Sequence, residues 1–298
     1  MRMTRKQFLK TGFAAASTLW LSSRKGLLAS PMNQPIGFQT YELIAHLTDD
    51  WQGTWNKMAG YGYKFADLVQ FKTVPALSHY TAKDILQALR TADLGCTNYH
   101  FTYTQWTQSY SQTLDDAHTV GVKSVVCSLG PRRSTVDDWK WMAEQLNELG
   151  AKVRKDGLQL AYHNHEIEFR PVEGQIPWDI LIANTEPQLV TYQIDVGNLT
   201  FGGGDPVYYL RKYPGRYFGM HLKDFKPGQA SVPVGQGILH WNEIFAIAKQ
   251  QNIRSYVTEV GAYGVATLDG QPLEQSKMDV MESFRQSFVF VNNYKDPS

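Results

Sequence analysis

LQLAYHNHEIEF, Leu158 to Phe169, is the stretch that decides how this chain reads. Its first part is rich in apolar residues: Leu158, Leu160, Ala161 and Tyr162. The run His163-Asn164-His165-Glu166 that follows is entirely polar. A strand buried along its length, with reactive groups only at its carboxyl end, is what a parallel α/β sheet requires. The same design recurs downstream in Gln193-Ile194-Asp195-Val196-Gly197-Asn198, in Met220-His221-Leu222-Lys223-Asp224 and in Tyr256-Val257-Thr258-Glu259-Val260-Gly261.

Outward from these four units, strand-like runs are expected at Ile36–Thr40, Phe65–Val69, Thr97–Phe101, Lys123–Ser128, Leu158–Asn164, Leu189–Asp195, Tyr217–Leu222 and Ser255–Val260. Apolar residues at helical spacing separate them. Ile85, Leu86, Leu89 and Leu94 form one such set, Met142, Leu146, Leu149 and Val153 another, and Ile244, Phe245, Ile247 and Ala248 a third. Thr81 before Lys83-Asp84, and Ser134 or Thr135 before Asp137-Asp138, supply side-chain caps and acidic first turns. Eight alternating units without a break in composition predict an α/β protein with a single (β/α)8 TIM barrel over residues 31–298. The alternative, an open doubly wound sheet, calls for a glycine-rich turn after the first strand. Ile36-Gly37-Phe38-Gln39-Thr40-Tyr41 has none.

Composition narrows the partners. The chain has 298 residues, 43% of them hydrophobic and 19% charged, with a formal net charge of +1. That balance gives no field to attract nucleic acid or anionic lipid, and no basic block with interleaved aromatics occurs. A small neutral molecule is the expected partner. The two cysteines, Cys96 and Cys127, lie in apolar strand-like stretches and read as buried thiols, not as a disulfide or metal ligands. Residues 1–30 read as a cleavable export signal. Arg2, Arg5 and Lys6 form a basic start, and Phe13 to Leu21 is an apolar run far shorter than the roughly 20 residues needed to span a bilayer. The string Thr4-Arg5-Lys6-Gln7-Phe8-Leu9-Lys10 resembles the twin-arginine motif, with Lys6 in place of the second arginine. Cleavage is expected between Gly26 and Ser30, with a periplasmic mature protein and no membrane attachment after processing; cytoplasmic retention is the alternative.

The strand ends carry the chemistry. His163, Asp195, His221 and Glu259 stand on four consecutive strands, each a competent ligand for one divalent ion. Mixed imidazole and carboxylate ligation suits Mn, Zn, Fe or Co better than calcium. A single strand-end histidine is ordinarily hydrogen-bonded structure, but four such residues on adjacent strands point to a metal site. His165 faces the same way as His163 by strand alternation and is the alternative ligand or an acid/base.

The strings LAYHNHEIEF, YQIDVGNL, GMHLKDF, VGQGILHW and YVTEVG resemble the sugar phosphate isomerase/epimerase superfamily, the xylose isomerase-like barrels, over about Pro35 to Tyr294. The resemblance implies a metal-dependent enzyme acting through a metal-stabilised enediolate on a keto-sugar or polyol. Related activities are ketose 3-epimerisation, inosose dehydration and elimination or hydration of 3-keto-glycosides. The epimerases' ligand set is Glu, Asp, His and Glu. The 26 residues from Asp195 to His221 and the 38 onward to Glu259 match that layout, while His163 stands where those enzymes have glutamate. Symmetric two-glutamate epimerisation therefore loses one partner, which favours elimination. The resemblance also implies that Glu168 lies beside the substrate, and dimers or tetramers are common among such barrels.

Roles follow for the remaining polar residues. Glu259 is the base that removes the proton next to the carbonyl, with His163 or His165 returning it. Lys223 partners a substrate oxygen or, alternatively, forms a salt bridge with Asp224. Asn164 and Asn198 orient ligands or substrate hydroxyls, and His100 and Asp67 face the mouth. Gly202-Gly203-Gly204 reads as a turn leading to a helix cap at Asp205-Pro206, and Val234-Gly235-Gln236-Gly237 as a loop shaping the mouth through its backbone. A non-catalytic sugar-binding barrel would need a ligand position to be lost, and none is. A nuclease on this fold would need further metal ligands and a basic face.

Overall fold

The computed structural model describes residues 34–128, 130–131, 133–226, 229–261, 267–268, 271–272 and 279–295. The expected export signal at 1–30, with its cleavage region, lies outside the described residues. Eight strands close into a parallel barrel: β1 (Ile36–Gln39), β2 (Phe65–Val69), β3 (Gly95–Thr102), β4 (Ser124–Ser128), β5 (Gln159–His163), β6 (Val190–Asp195), β7 (Tyr217–Leu222) and β8 (Ser255–Thr258). Each pairs with its neighbour in sequence, and β8 closes on β1 through Ile36↔Tyr256 and Phe38↔Thr258. All eight expected strands are present and the barrel replaces the open-sheet alternative. Two ends differ from expectation by two residues, and the rest agree to within one. β3 begins two residues before Thr97, and β8 stops at Thr258, so Glu259 lies just past the ladder. Its N–H still donates to Leu222 O at 3.0 Å, which keeps it against β7 after contact with β1 has ended.

The intervening helices begin where their caps dictate. Thr81 and Thr135 each accept from the N–H three residues on, and Asp84 and Asp138 return the bond in reciprocal capping boxes. Thr135, not Ser134, is thus the cap. Met142, Leu146, Leu149 and Val153 are buried on helix Val136–Lys155, and Ile244, Phe245, Ile247 and Ala248 on helix Trp241–Gln250. The layer between strands and helices is filled by large side chains; Trp55, Trp106, Trp139 and Trp178 are fully buried, each removing on the order of 150–250 Å² from water. The seam is locked by Tyr63, whose hydroxyl lies 2.6 Å from Thr258 Oγ1 and donates to Phe284 O of the helix Val280–Asn293 at 2.8 Å. Both cysteines are free, Cys127 buried and Cys96 half-buried. Among the described residues no helix is long and apolar enough to cross a membrane.

Candidate metal centre at the barrel mouth

Strand parity brings the ligands to one face. His163 is in register with Gln193, two residues before Asp195; Asp195 is in register with His221. His221 in turn matches Val257, two residues before Glu259. Even offsets preserve the side-chain face, so all four point into the barrel while the two-residue steps follow the strand stagger. One donor atom from each of His163, Asp195, His221 and Glu259 lies within 4.8 Å of the others, and all four residues are buried.

Contacts within the group are those of a site built around a cation. His221 Nδ1 is 2.5 Å from Glu259 Oε2, and its Nε2 is 2.9 Å from Asp67 Oδ2. Asp67 lies beneath the mouth, fully buried, and its Oδ2 also accepts from Gln193 Nε2 at 2.6 Å and Asn98 Nδ2 at 3.3 Å. A carboxylate behind a histidine fixes which ring nitrogen is free to bind a metal. His100 Nε2 is 2.9 Å from Asp67 Oδ1 but out of line for a hydrogen bond, so both atoms are without a hydrogen-bond partner. The His100 ring packs beside His163 and His221, with centroids 5.2 and 5.5 Å away. Lys223 is buried and donates to Glu259 Oε1 at 2.8 Å. Its backbone packs so closely on the turn after β6 that a Cβ on Gly197 would lie 2.7 Å from Lys223 Cβ.

Whether the residues fit a divalent ion is decided by buried atoms left over. Asp195 Oδ2, His163 Nδ1 and His165 Nδ1 have no hydrogen-bond partner among the described residues. Unpaired buried acceptors are costly, and a cation held by the converging group would satisfy those of Asp195 and His163. Titration agrees. Burial, reinforced by His221 and His100, holds His163 far below the usual histidine range, leaving the neutral imidazole a ligand needs. Burial and the Glu259 charge push Asp195 up to about 7. Burial opposes charge on His221, yet Asp67 and Glu259 raise it to about 10, so a proton occupies the position a cation would take. Burial raises Glu259, but Lys223 and then His221 outweigh it and keep this carboxylate ionised. His165, on the mouth side of His163 with ring centroids 5.2 Å apart, is lowered by burial to about 4.

Four of the expected site residues have their partners within the protein. Lys223 does not pair with Asp224. That carboxylate is consumed by the loop after β7, accepting from Gly235 N, Gly237 N and Trp241 Nε1 at 2.8–3.1 Å. The loop thus holds its shape through a side chain, not through its backbone alone. Glu168, which the resemblance sets beside the substrate, is fully buried and accepts from the Tyr162 hydroxyl at 2.6 Å and His165 N at 2.8 Å. Tyr162 faces the helix layer by alternation, so Glu168 braces the β5 turn from behind, and burial raises it to about 7. Asn164 spends its side chain on the Asp195 backbone, accepting from its N–H at 2.8 Å and donating to its carbonyl at 3.0 Å. Asn198 acts through its N–H, which donates to Asp195 Oδ1 at 2.7 Å, making Asp195 the cap of helix Val196–Phe201.

One site residue escaped sequence reasoning. Glu42, in the 3-10 turn Tyr41–Leu43 after β1, is buried with Oε2 unpartnered. Burial and the Glu259 charge raise it well above the usual carboxylate range. The signal was an acidic residue just past a strand end, the feature that singled out Glu259.

The family model for the xylose isomerase-like TIM barrel matches residues 55–260, more than half of the chain. An inosose dehydratase of Bacillus anthracis is 30% identical over 141 residues, which cover 41% of this chain and 46% of that protein. The match thus spans about half the length of the curated relative. A sugar phosphate isomerase/epimerase from Parabacteroides distasonis ATCC 8503 superposes with a TM-score of 0.72 at 24% identity, covering 87% of this chain and 93% of that one. The IolI protein with a bound zinc atom superposes with a TM-score of 0.67 at 13% identity, covering 89% and 100%. These two likenesses concern the fold.

Proposed function

This chain belongs to the xylose isomerase-like TIM-barrel family, and from that premise we propose that it is a divalent-metal-dependent lyase that eliminates water or another β-substituent from a small polyhydroxylated keto compound. The observation that carries the reading is the cluster of donor atoms from His163, Asp195, His221 and Glu259 within 4.8 Å, in which Glu259 is the sole glutamate. The similarity to an inosose dehydratase supports it.

When bound, a divalent ion supplies Lewis acidity toward a carbonyl oxygen and a neighbouring hydroxyl oxygen of the substrate. The chain's residues do the rest. Glu259, kept ionised by Lys223 and His221, takes the proton from the carbon beside the carbonyl. Lys223, 2.8 Å from Oε1, orients that carboxylate. Across the mouth, His165 is a neutral imidazole that hydrogen-bonds the departing hydroxyl. As the C–O bond breaks and the C=C bond forms, that hydroxyl leaves as water with a proton from solvent, and Glu259 gives the proton it took back to solvent. An epimerase needs a second base of matched strength on the opposite face, and with His163 in the ligand set that wall offers only imidazole. Elimination needs the base on one face alone.

The test is incubation of the Mn-loaded protein with inosose and with a 3-keto-glucoside, followed by NMR. Loss of water or of the aglycone is expected. An epimer or isomer as the sole product would overturn elimination in favour of isomerase or epimerase chemistry from the same first step.

A further inference from the structure

We propose that Glu42 is a substrate-contacting residue, whose carboxyl hydrogen-bonds a hydroxyl of the polyol on the wall of the mouth facing His165. The proposal rests on reading the site as a polyol-processing metal centre. Its position follows from the barrel. β1 pairs with β8 and lies four strands from β5, so a residue just beyond β1 flanks Glu259 and stands across the opening from His165. The turn that carries Glu42 is pinned. Thr40 Oγ1 donates to Asp67 O at 3.2 Å and accepts from Val69 N at 3.0 Å, while Leu43 is buried in the core. With that turn fixed, Glu42 is directed inward and is 8% exposed.

Neither a structural nor a ligand role accounts for it. Oε2 is buried and has no hydrogen-bond partner among the described residues. The Glu42 carboxyl is also absent from the group of donor atoms that lie within 4.8 Å of one another. A buried carboxyl with one oxygen unpartnered is unfavourable in either protonation state, and a leucine there would not incur that cost. The surroundings nevertheless make room for it. Gly261, two residues past Glu259, has φ +101°, and a Cβ there would lie 2.8 Å from Glu42 Cγ and 3.2 Å from Oε1. Ser231 Oγ accepts from the Gly261 N–H at 2.8 Å and holds that backbone in place. A carboxyl oxygen left unpaired inside a wall shaped around it is arranged for a donor that arrives from outside. A keto-polyol seated at the ligand set brings such donors, since its further hydroxyls lie one or two carbons from the reacting pair.

The experiment compares wild type, Glu42→Leu and Glu42→Gln, each loaded with Mn, by metal content, thermal unfolding and calorimetric binding of inosose. Glu42→Leu should keep its metal, unfold at the same or a higher temperature, and bind inosose about 10-fold to 100-fold more weakly, the range for losing a hydrogen bond to a buried carboxyl. Glu42→Gln, which retains a hydrogen-bonding side chain, should lose less. A lower unfolding temperature or lost metal in Glu42→Leu would overturn the proposal in favour of a structural or ligand role, and unchanged inosose affinity would also overturn it. If the wild type itself fails to bind inosose, the substrate class under Proposed function falls. Glu42 is then decided by unfolding, where a rise supports a carboxyl kept for a ligand and a fall refutes it.

Discussion

Asp67→Asn isolates the support beneath the metal centre. Asp67 is buried, and its Oδ2 takes hydrogen bonds from His221, Gln193 and Asn98 at 2.9, 2.6 and 3.3 Å. Asparagine keeps the shape and one carbonyl oxygen for these donors but removes the charge. Two consequences follow. His221 Nε2 faces a weaker acceptor, so the ring is less firmly held and its Nδ1 is a poorer ligand. Loss of such a partner typically costs 10-fold to 100-fold in metal affinity, or about 1.4 to 2.7 kcal/mol. The metal-free fold also loses charge-assisted bonds, worth roughly 1 to 3 kcal/mol. Competition against a fluorescent chelator at fixed pH reads the first, and denaturant unfolding of the apo-protein reads the second. An unchanged affinity would refute the assignment of Asp67 as the brace of His221. Two ions in wild type and one in Asp67→Asn would refute it differently, because Asp67, His100 and His221 also offer donor atoms within 4.8 Å and would then hold an ion directly.

Asp195→Asn and Asp195→Ala should both abolish stoichiometric metal by mass spectrometry. Only the alanine variant should also lose stability, by about 1 kcal/mol, because asparagine still caps helix Val196–Phe201. Glu168 titrates at about 7 in the folded protein against an ordinary value of 4.5. The native state therefore holds this proton more tightly, and the group's contribution to stability falls as pH rises from 4.5 towards 7 and is level above. Glu168→Gln should gain on wild type by up to about 3 kcal/mol across that window, measured by unfolding at pH 4.5 and 8; a constant difference would show that Glu168 titrates normally. Gly261→Ala should destabilise by about 1 to 3 kcal/mol through its positive φ and its clash with Glu42, and Glu42→Ala in the same chain should recover the clash component alone. Additive losses in that cycle would mean the two residues do not meet.

The barrel and its ligand arc were legible because they rest on periodicity. A two-residue repeat fixes which face a side chain takes, and the four ligand positions differ by even steps along registered strands. Depth and bonding were not legible, since periodicity is silent on both. His100 and Asp67 share the inward face with the ligands, where Asp67 serves His221 and the His100 ring packs beside His163 and His221. Glu168 lies close to His163 in sequence but turns behind the strand to meet Tyr162, because a 3-10 turn, Ile167–Phe169, breaks the alternation. Of the two roles the sequence left open for Asn164 and Asn198, the structure shows the orienting of a ligand: Asn164 holds the Asp195 backbone and the Asn198 N–H holds the Asp195 carboxylate. Glu42 depends on another 3-10 turn, whose direction no repeat encodes.

Charge balance explains why these residues belong together. Glu42, Asp67, Asp195 and Glu259 are buried carboxyls around one end of the barrel, and Lys223 is the buried ammonium among them. Water cannot screen such a group, so each excess negative charge must be neutralised by a proton or a cation. In the protein alone protons do this: Asp195 rises to about 7, Glu42 rises, and His221 carries a charge up to about 10. Asp67 and Glu259 stay ionised because each has a cationic partner in contact. Besides Glu42, the protons therefore collect on Asp195 and His221, two of the four residues whose donor atoms converge. A divalent ion held by these residues would replace both protons and would give the orphaned Asp195 Oδ2 and His163 Nδ1 a partner. Glu42, outside that group, keeps its unmet hydrogen bond after the ion has bound, which is why the carboxyl that sequence reasoning missed is the one left facing the substrate.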